Sequence, residues 1–281
     1  MGDVLMQLAT ASAVPREFAF HRNDFEKVRS TLMSKAGIRL ADSKDGMVYS
    51  RLSRRLRALN IDSFSQYLRL VESSSAEQEQ FINALTTNLT SFFREAHHFD
   101  ALAKYLHEHP DTHTIWCAAS STGEEPYSIA MVVAEVFGSY KPPISIIASD
   151  IDSNVLAKAR RGVYSYNSIE KLSQSRKQQF FHRGKGANAG KVKVVDELRD
   201  MVTFRQINLQ QVHWGFKQRV NVIFCRNVMI YFDKDTQLKL LARMVDLLPE
   251  NGMYVAGHSE NFNLQTHLVR PMGKTIYRPV K

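Results

Sequence analysis

From about residue 114 the chain alternates short apolar runs with helix-patterned stretches, and few architectures accept that pattern. The runs TIWCAAS, ISIIASD and VNVIFCRN are apolar nearly throughout, with MVTFRQIN and GMYVAGHS as further strand-like segments. A strand that is apolar on both sides must be covered on both sides, which parallel strands with crossover helices achieve. Between the runs lie EPYSIAMVVAEVF, SNVLAKARR and DTQLKLLARMVDLLPENG, the last closing on the stop signal Gly252. The alternation predicts a doubly wound α/β sheet. The stretch HLVRPMGKTIYRPV reads as two strands about a turn at Gly273, which ends the sheet with an antiparallel pair.

One segment breaks the alternation. FFHRGKGANAGKVKVVDELRDMVTF is glycine-rich, then basic and β-branched, where a plain crossover helix would suffice. It predicts a β-hairpin or small antiparallel β-subdomain inserted over residues 182–200, and such insertions more often serve recognition than stability. Ahead of the sheet, residues 17–86 read as helix throughout. Asp24 is placed to cap a helix carrying Phe25, Val28, Leu32 and Met33 on one face. MVYSRLSRRLRAL sets Leu52, Leu56 and Leu59 on one side and Arg51, Arg54 and Arg55 on the other. With SFSQYLRLVES and AEQEQFINALTTN, this block is expected to form a helical bundle. Residues 87–113 read as a linker and helix, 114–281 as the α/β domain and 1–16 as a disordered tail.

Composition removes several classes of protein. No stretch approaches ~18 uninterrupted apolar residues, so no membrane insertion is expected. Cys117 and Cys225 both lie inside apolar runs, which argues against a disulfide framework and for a reducing compartment. His97, His98, His107, His109 and His113 cluster without metal-ligand spacing, so no metal is expected. A monomer is expected. The net charge of +9 calls for an acidic partner, whether nucleic acid, anionic membrane or acidic protein.

In an open α/β sheet the ligand sits beyond the carboxyl ends of the strands. The residues falling there are ASSTGEEP, Ser149-Asp150, Asn208-Leu209 and Arg226-Asn227. Asp150 is suited to take hydrogen bonds from ribose hydroxyls; capping the following helix is the competing role, for which Asp152 and Ser153 stand closer. Gly123 permits a tight turn and Pro126 suits the first turn of a helix. A helix start of this kind normally favours a phosphate, but Glu124 and Glu125 would repel a pyrophosphate. A cofactor with a ribose, no phosphate and positive charge is S-adenosylmethionine. Glu125 is assigned to its cationic end, and Glu124 to an exposed position that complements the helix dipole.

Taken together and in order, TTNLTSFFREAHHF, AASSTGEEPYSIA, ASDID, FCRNVMIYF and AGHSENF resemble the chemotaxis-receptor methyltransferases, the CheR family, from about residue 20 to the C-terminus. The resemblance implies an N-terminal helical domain, an S-adenosylmethionine-dependent methyltransferase domain with an inserted β-subdomain, and transfer of methyl groups to chemoreceptor glutamates for sensory adaptation. It implies cofactor contacts from Asn88, Thr90, Arg94, Glu125, Asp150, Asn208, Leu209, Arg226 and Asn227. Arg94 and Tyr231 would orient the substrate carboxylate, although packing the cofactor is an equal reading for Tyr231. The basic face Arg51, Arg54 and Arg55 would bind the acidic receptor helices. The insertion RGKGANAGK resembles that of members which dock a receptor C-terminal pentapeptide, with recruitment of a cytoplasmic enzyme to membrane receptor arrays. A nucleic-acid methylase is the rival. Base methylases place Asp/Asn-Pro-Pro-aromatic after the fourth strand, where this chain has CRNVMIY, and no aromatic-interleaved basic platform is present, so no nucleic-acid partner is expected. A non-catalytic adaptor is disfavoured because Arg94, Glu125, Asp150, Asn208, Asn227 and Tyr231 are all in place.

Overall fold

The four amphipathic segments at the start of the chain become four helices, α1 (Arg22–Ala36), α2 (Asp45–Leu59), α3 (Phe64–Ser73) and α4 (Ser75–Leu85). The computed structural model describes residues 16–281, so the tail expected over 1–16 lies almost wholly outside the described residues. Ser63 and Ser74 cap α3 and α4 by accepting from the main-chain N–H groups of Gln66 and Glu77. The bundle core is Phe25, Val28, Leu32, Leu52, Leu56, Phe64, Tyr67 and Phe81. Two residues expected on the apolar faces, Met33 and Leu59, are exposed instead. The buried stripe of α1 runs 25, 28, 32, 36, which turns Met33 away, and Leu59 sits in the last turn of α2 beyond the packed stripe. Gly37 ends α1 in the left-handed region at φ 69°. A Cβ there would lie 2.2 Å from Gln210 Nε2, so the helical block presses against the sheet domain at this point.

A fifth helix, α5 (His97–Glu108), leads into the sheet domain. Its elements are β1 (Thr114–Cys117), α6 (Glu124–Phe137), β2 (Ser145–Asp150), α7 (Ser153–Arg161), β3 (Val163–Ser165), α8 (Gln174–Phe180), β4 (Phe181–Arg183), β5 (Lys191–Val194), α9 (Asp196–Asp200) and β6 (Val202–Gln206). There follow β7 (Val222–Cys225), α10 (Lys234–Leu247), β8 (Met253–Ala256), β9 (Val269–Gly273) and β10 (Ile276–Pro279). Seven strands form one sheet in the order β6-β2-β1-β7-β8-β10-β9. The first five pair in parallel; β10 runs antiparallel to both β8 and β9. This is the doubly wound sheet with a terminal antiparallel pair that the alternation predicted.

The apolar runs are apolar throughout because both faces are covered. Ile115, Cys117, Ile146, Ala148, Val222 and Phe224 pack on the side of α5 and α6. Their neighbours Trp116, Ile147, Ile223 and Cys225 pack on the side of α10 and Trp214. Period-two alternation therefore exists in space but not in hydrophobicity.

The inserted sheet has three antiparallel strands in the order β3-β5-β4. It differs from the expected stretch at both ends. Its edge strand β3 comes from Val163–Ser165, well before residue 182, and residues 196–200 are the short helix α9. Three residues, VYS, carry too short a pattern to mark a strand without its partner. Among the described residues no helix is long and apolar enough to cross a membrane.

Candidate active site

The strand order reverses at β1, which lies between β2 and β7, and in such sheets the ligand crevice opens at the carboxyl ends of those strands. A cavity of about 390 Å³ lies there. Asn88, Thr90, Arg94, Glu125, Asp150, Asn208, Leu209, Arg226, Asn227 and Tyr231 all line it. Residues more than 100 positions apart in sequence thus meet around one space.

Asp150 ends β2 and is buried. Its carboxylate accepts the N–H of Ser121 (2.8 Å) and of Asp152 (3.0 Å). Burial pushes its pKa up to about 6, against the pull of these N–H groups. Asp152, not Asp150, caps α7, accepting from Asn154 and Val155. The Asn88 side chain donates to Asp152 (2.8 Å), and the Asn88 main-chain carbonyl accepts from the Ser121 hydroxyl (2.9 Å). The linker is thereby stitched to the carboxyl ends of β1 and β2.

The turn before α6 meets expectation at Gly123 and departs from it at Glu124. Gly123 has φ 101°, the tight turn expected, and its missing side chain lets neighbouring elements approach closely. A Cβ there would lie 2.7 Å from Tyr164 Oη and 2.8 Å from Ala159 Cβ. Glu124, expected to be exposed, is buried, and burial pushes its pKa up. It accepts from the Thr122 hydroxyl (2.6 Å), while Tyr164 of β3 donates to the Thr122 carbonyl (2.8 Å). The inserted sheet covers this helix start, a contact that no local pattern announces.

Glu125 is buried and lines the cavity already paired. It accepts from the Arg226 guanidinium, and the Cys117 thiol donates to its other oxygen (3.3 Å). Burial alone would lower the Arg226 pKa, but Glu125 and Glu95 outweigh it and raise it. Arg226 also donates to the Arg94 carbonyl (2.5 Å) and stands 3.3 Å from Glu95.

Arg94 sits in a strained turn. Its neighbours Phe93 (φ 51°) and Glu95 (φ 59°) both occupy the left-handed region, which non-glycine residues seldom adopt. Phe93 donates its N–H to the Ser128 hydroxyl (3.0 Å) and lies under the Arg176 guanidinium at 4.0 Å. Phe92 packs edge-on against Tyr164 and Phe181. Among the described residues the Arg94 guanidinium makes one hydrogen bond, to the Leu89 carbonyl (3.0 Å); its Nε lies 3.9 Å from Glu95, and the side chain is 37% exposed. Tyr231 stands half-buried on a short 3-10 turn, Met229–Tyr231, and its carbonyl accepts from Arg39 N–H (2.8 Å). Asn208 reaches the other way, donating to the Lys35 carbonyl (2.9 Å) at the end of α1.

The three arginines of α2 are not brought to the cavity. Arg51 donates to the carbonyls of Ala84 and Thr86 at the end of α4. Arg55 forms a two-pronged pair with Glu77 (3.0 and 2.7 Å), which Tyr67 also joins (2.9 Å). Of the three only Arg54 is exposed, while Arg51 and Arg55 are half-buried and paired within the bundle. Arg39 and Lys44, from the connection between α1 and α2, are exposed at the cavity with Ile38 and Met47 beside them. The pattern did not mark these residues. The only signal was KAGIRLAD, a connection more apolar than a solvent-exposed turn requires.

A sheet of this order, with a nucleoside-sized cavity at its switch point, is that of a methyltransferase binding S-adenosylmethionine. Residues 88–278 match the CheR methyltransferase SAM binding domain and residues 23–86 the CheR methyltransferase all-alpha domain. The chain belongs to the CheR family of chemotaxis methyltransferases. It is 53% identical over 267 residues to chemotaxis protein methyltransferase 2 of Pseudomonas aeruginosa, covering 94% of this chain and 95% of that one. It is 47% identical over 255 residues to the chemotaxis protein methyltransferase of Salmonella typhimurium, covering 90% of this chain and 88% of the relative. The corresponding protein of Escherichia coli is 46% identical over 255 residues, covering 90% and 89%.

Proposed function

We propose that the protein transfers a methyl group from S-adenosylmethionine to glutamate side chains on the cytoplasmic helices of chemoreceptors, forming methyl esters that adapt the sensory response. The observation that carries this reading is the meeting of two unlike groups on one cavity. Asp150 offers a buried carboxylate for ribose hydroxyls, and Arg94 offers a partly exposed cation for a substrate carboxylate.

The cavity suits the cofactor. Asp150 is held by two N–H groups and keeps further lone pairs for hydroxyl donors. Glu125, though paired with Arg226, adds acceptor capacity for an ammonium group. Asn88, Thr90, Asn208, Leu209 and Asn227 complete the wall. When bound, the cofactor supplies an electrophilic methyl group on a sulfonium. A glutamate carboxylate, with an ordinary pKa of ~4.3, is already ionised near neutral pH and needs no general base. The protein's task is then alignment, which effective-molarity arguments value at up to ~7–11 kcal/mol. Arg94 suits that task because one hydrogen bond to Leu89 and a loose 3.9 Å approach to Glu95 leave N–H groups for the substrate. A looser hold also avoids overstabilising the ground-state carboxylate. Charge is neutralised as the methyl moves, so excluding water favours transfer. Tyr231 steers one carboxylate oxygen or packs the cofactor.

Outside the cavity, Arg54, Arg39 and Lys44 favour an acidic helix. The open edges β3 and β4 of the inserted sheet would let a receptor C-terminal pentapeptide add a strand, raising local substrate concentration. We place this monomeric enzyme in the cytoplasm beside the receptor arrays. Incubation with radiolabelled cofactor and receptor-containing membranes tests the reading. Label on receptor that base releases as methanol is expected. Base-stable label, or none despite cofactor binding, would contradict it.

A further inference from the structure

The stretch GHSEN after β8 has no role in the chemistry above, yet it holds a buried carboxylate at a junction of three loops. Glu260 is 4% exposed. Its Oε2 accepts the main-chain N–H of Gly257 (2.6 Å) and of Asn227 (2.9 Å), and its Oε1 accepts that of Met229 (2.7 Å). Three main-chain donors thus converge on two oxygens. Asn227, immediately after the Arg226 that closes on Glu125, is left-handed at φ 58°, a conformation that needs outside support in a residue with a side chain. The loop that carries Glu260 lies hard against it. A Cβ on Gly257 would sit 2.4 Å from Asn227 Nδ2 and 2.7 Å from Asn227 N. One residue further, the His258 N–H donates to Glu95 (3.1 Å), beside Arg94. The loop after β8 therefore ties the Arg94 turn to the wall formed by Asn227 and Tyr231.

We propose that Glu260 is a positioning residue, which fixes the main chain of residues 227–229 so that Asn227 and Tyr231 stand on the cavity while Glu260 itself touches neither cofactor nor substrate. A carboxylate is required for this. Glutamine would replace one acceptor oxygen with an NH₂ group facing a main-chain N–H, leaving two donors opposed in a buried space. Aspartate, one methylene shorter, would not span all three donors. The inference rests on the reading that this cavity holds the cofactor and that methyl transfer occurs there.

The test uses Glu260→Gln and Gly257→Ala in the full chain, with the affinity for S-adenosylhomocysteine measured by calorimetry and kcat and KM measured on receptor-containing membranes. Glu260→Gln is expected to weaken S-adenosylhomocysteine binding and lower kcat, each on the order of 10- to 100-fold, with the KM for receptor little changed. Gly257→Ala is expected to give the same signature although it leaves the carboxylate in place, because the added methyl displaces Asn227. Should Glu260→Gln fail to fold, Gly257→Ala carries the test alone. Wild-type affinity and kcat in the folded variants, or losses that only track the folded fraction, would overturn the proposal. If the wild-type protein binds S-adenosylhomocysteine but esterifies no glutamate, the activity reading falls and the affinity measurements still decide the role of Glu260.

Discussion

Two arginines border the same cavity and are held in opposite ways. Arg226 is fully enclosed, paired with Glu125, within reach of Glu95 and bonded to the Arg94 carbonyl. Arg94 is over a third exposed, makes one hydrogen bond among the described residues, to the Leu89 carbonyl, and only approaches Glu95 at 3.9 Å. A buried cation held by two carboxylates is committed mainly to the inner wall, with only its Nε unpaired among the described residues. A cation with unused donors at the cavity's edge can take a new anion. Charge alone does not mark a candidate working residue. Exposed donors left over after its internal contacts do.

That contrast can be broken by substitution. Arg226→Met leaves Glu125 buried without its counter-ion and is expected to cost about 3–5 kcal/mol of stability, read by chemical denaturation. Arg94→Ala is expected to leave the unfolding midpoint near that of wild type while lowering kcat on the order of 10²–10³-fold, read by methyl ester formation. Wild-type turnover in that variant would remove Arg94 from the site.

Asp150 sharpens the comparison from the acidic side. Its pKa is raised to about 6 in the folded protein. Between the unfolded value near 3.9 and that value, the native state binds more protons than the unfolded one, so stability from this group falls as pH rises. The unfolding free energy of Asp150→Asn minus that of wild type is therefore expected to increase by about 3 kcal/mol from about pH 3 to about pH 7. Wild-type cofactor affinity should move the opposite way, weakening as pH drops through about 6, because only the ionised carboxylate accepts from both ribose hydroxyls. Calorimetric titration against pH reads this. The smallest effect belongs to the helical domain. Arg54→Ala should raise the receptor KM roughly two- to fivefold, the scale of a surface ion pair, and lose that effect at high salt.

The sheet was legible because buried parallel strands leave apolar runs with no alternative explanation, as in ISIIASD. The cavity residues were legible where they end such strands, as Asp150 and Asn227 do. The internal partners of the α2 arginines were not legible because periodicity reports which residues share a face but not what lies opposite. Glu77, 22 positions beyond Arg55, absorbs one of them, and the main-chain carbonyls at the end of α4 absorb another. Glu124 failed for the same reason, since the sheet covering it depends on Tyr164 in a three-residue strand. Ile38, Arg39 and Lys44 were invisible because a loop between helices carries no period. They join the cavity only through docking of one domain on the other.

The most direct measurement is mass spectrometry of a receptor cytoplasmic fragment after incubation with wild-type and Arg94→Ala protein, each shown to be folded. A one-methyl increment on glutamate-containing peptides, abolished by mild base and nearly absent with Arg94→Ala, is the predicted result. A base-stable increment on another residue type, or equal esterification by both proteins, would contradict the account.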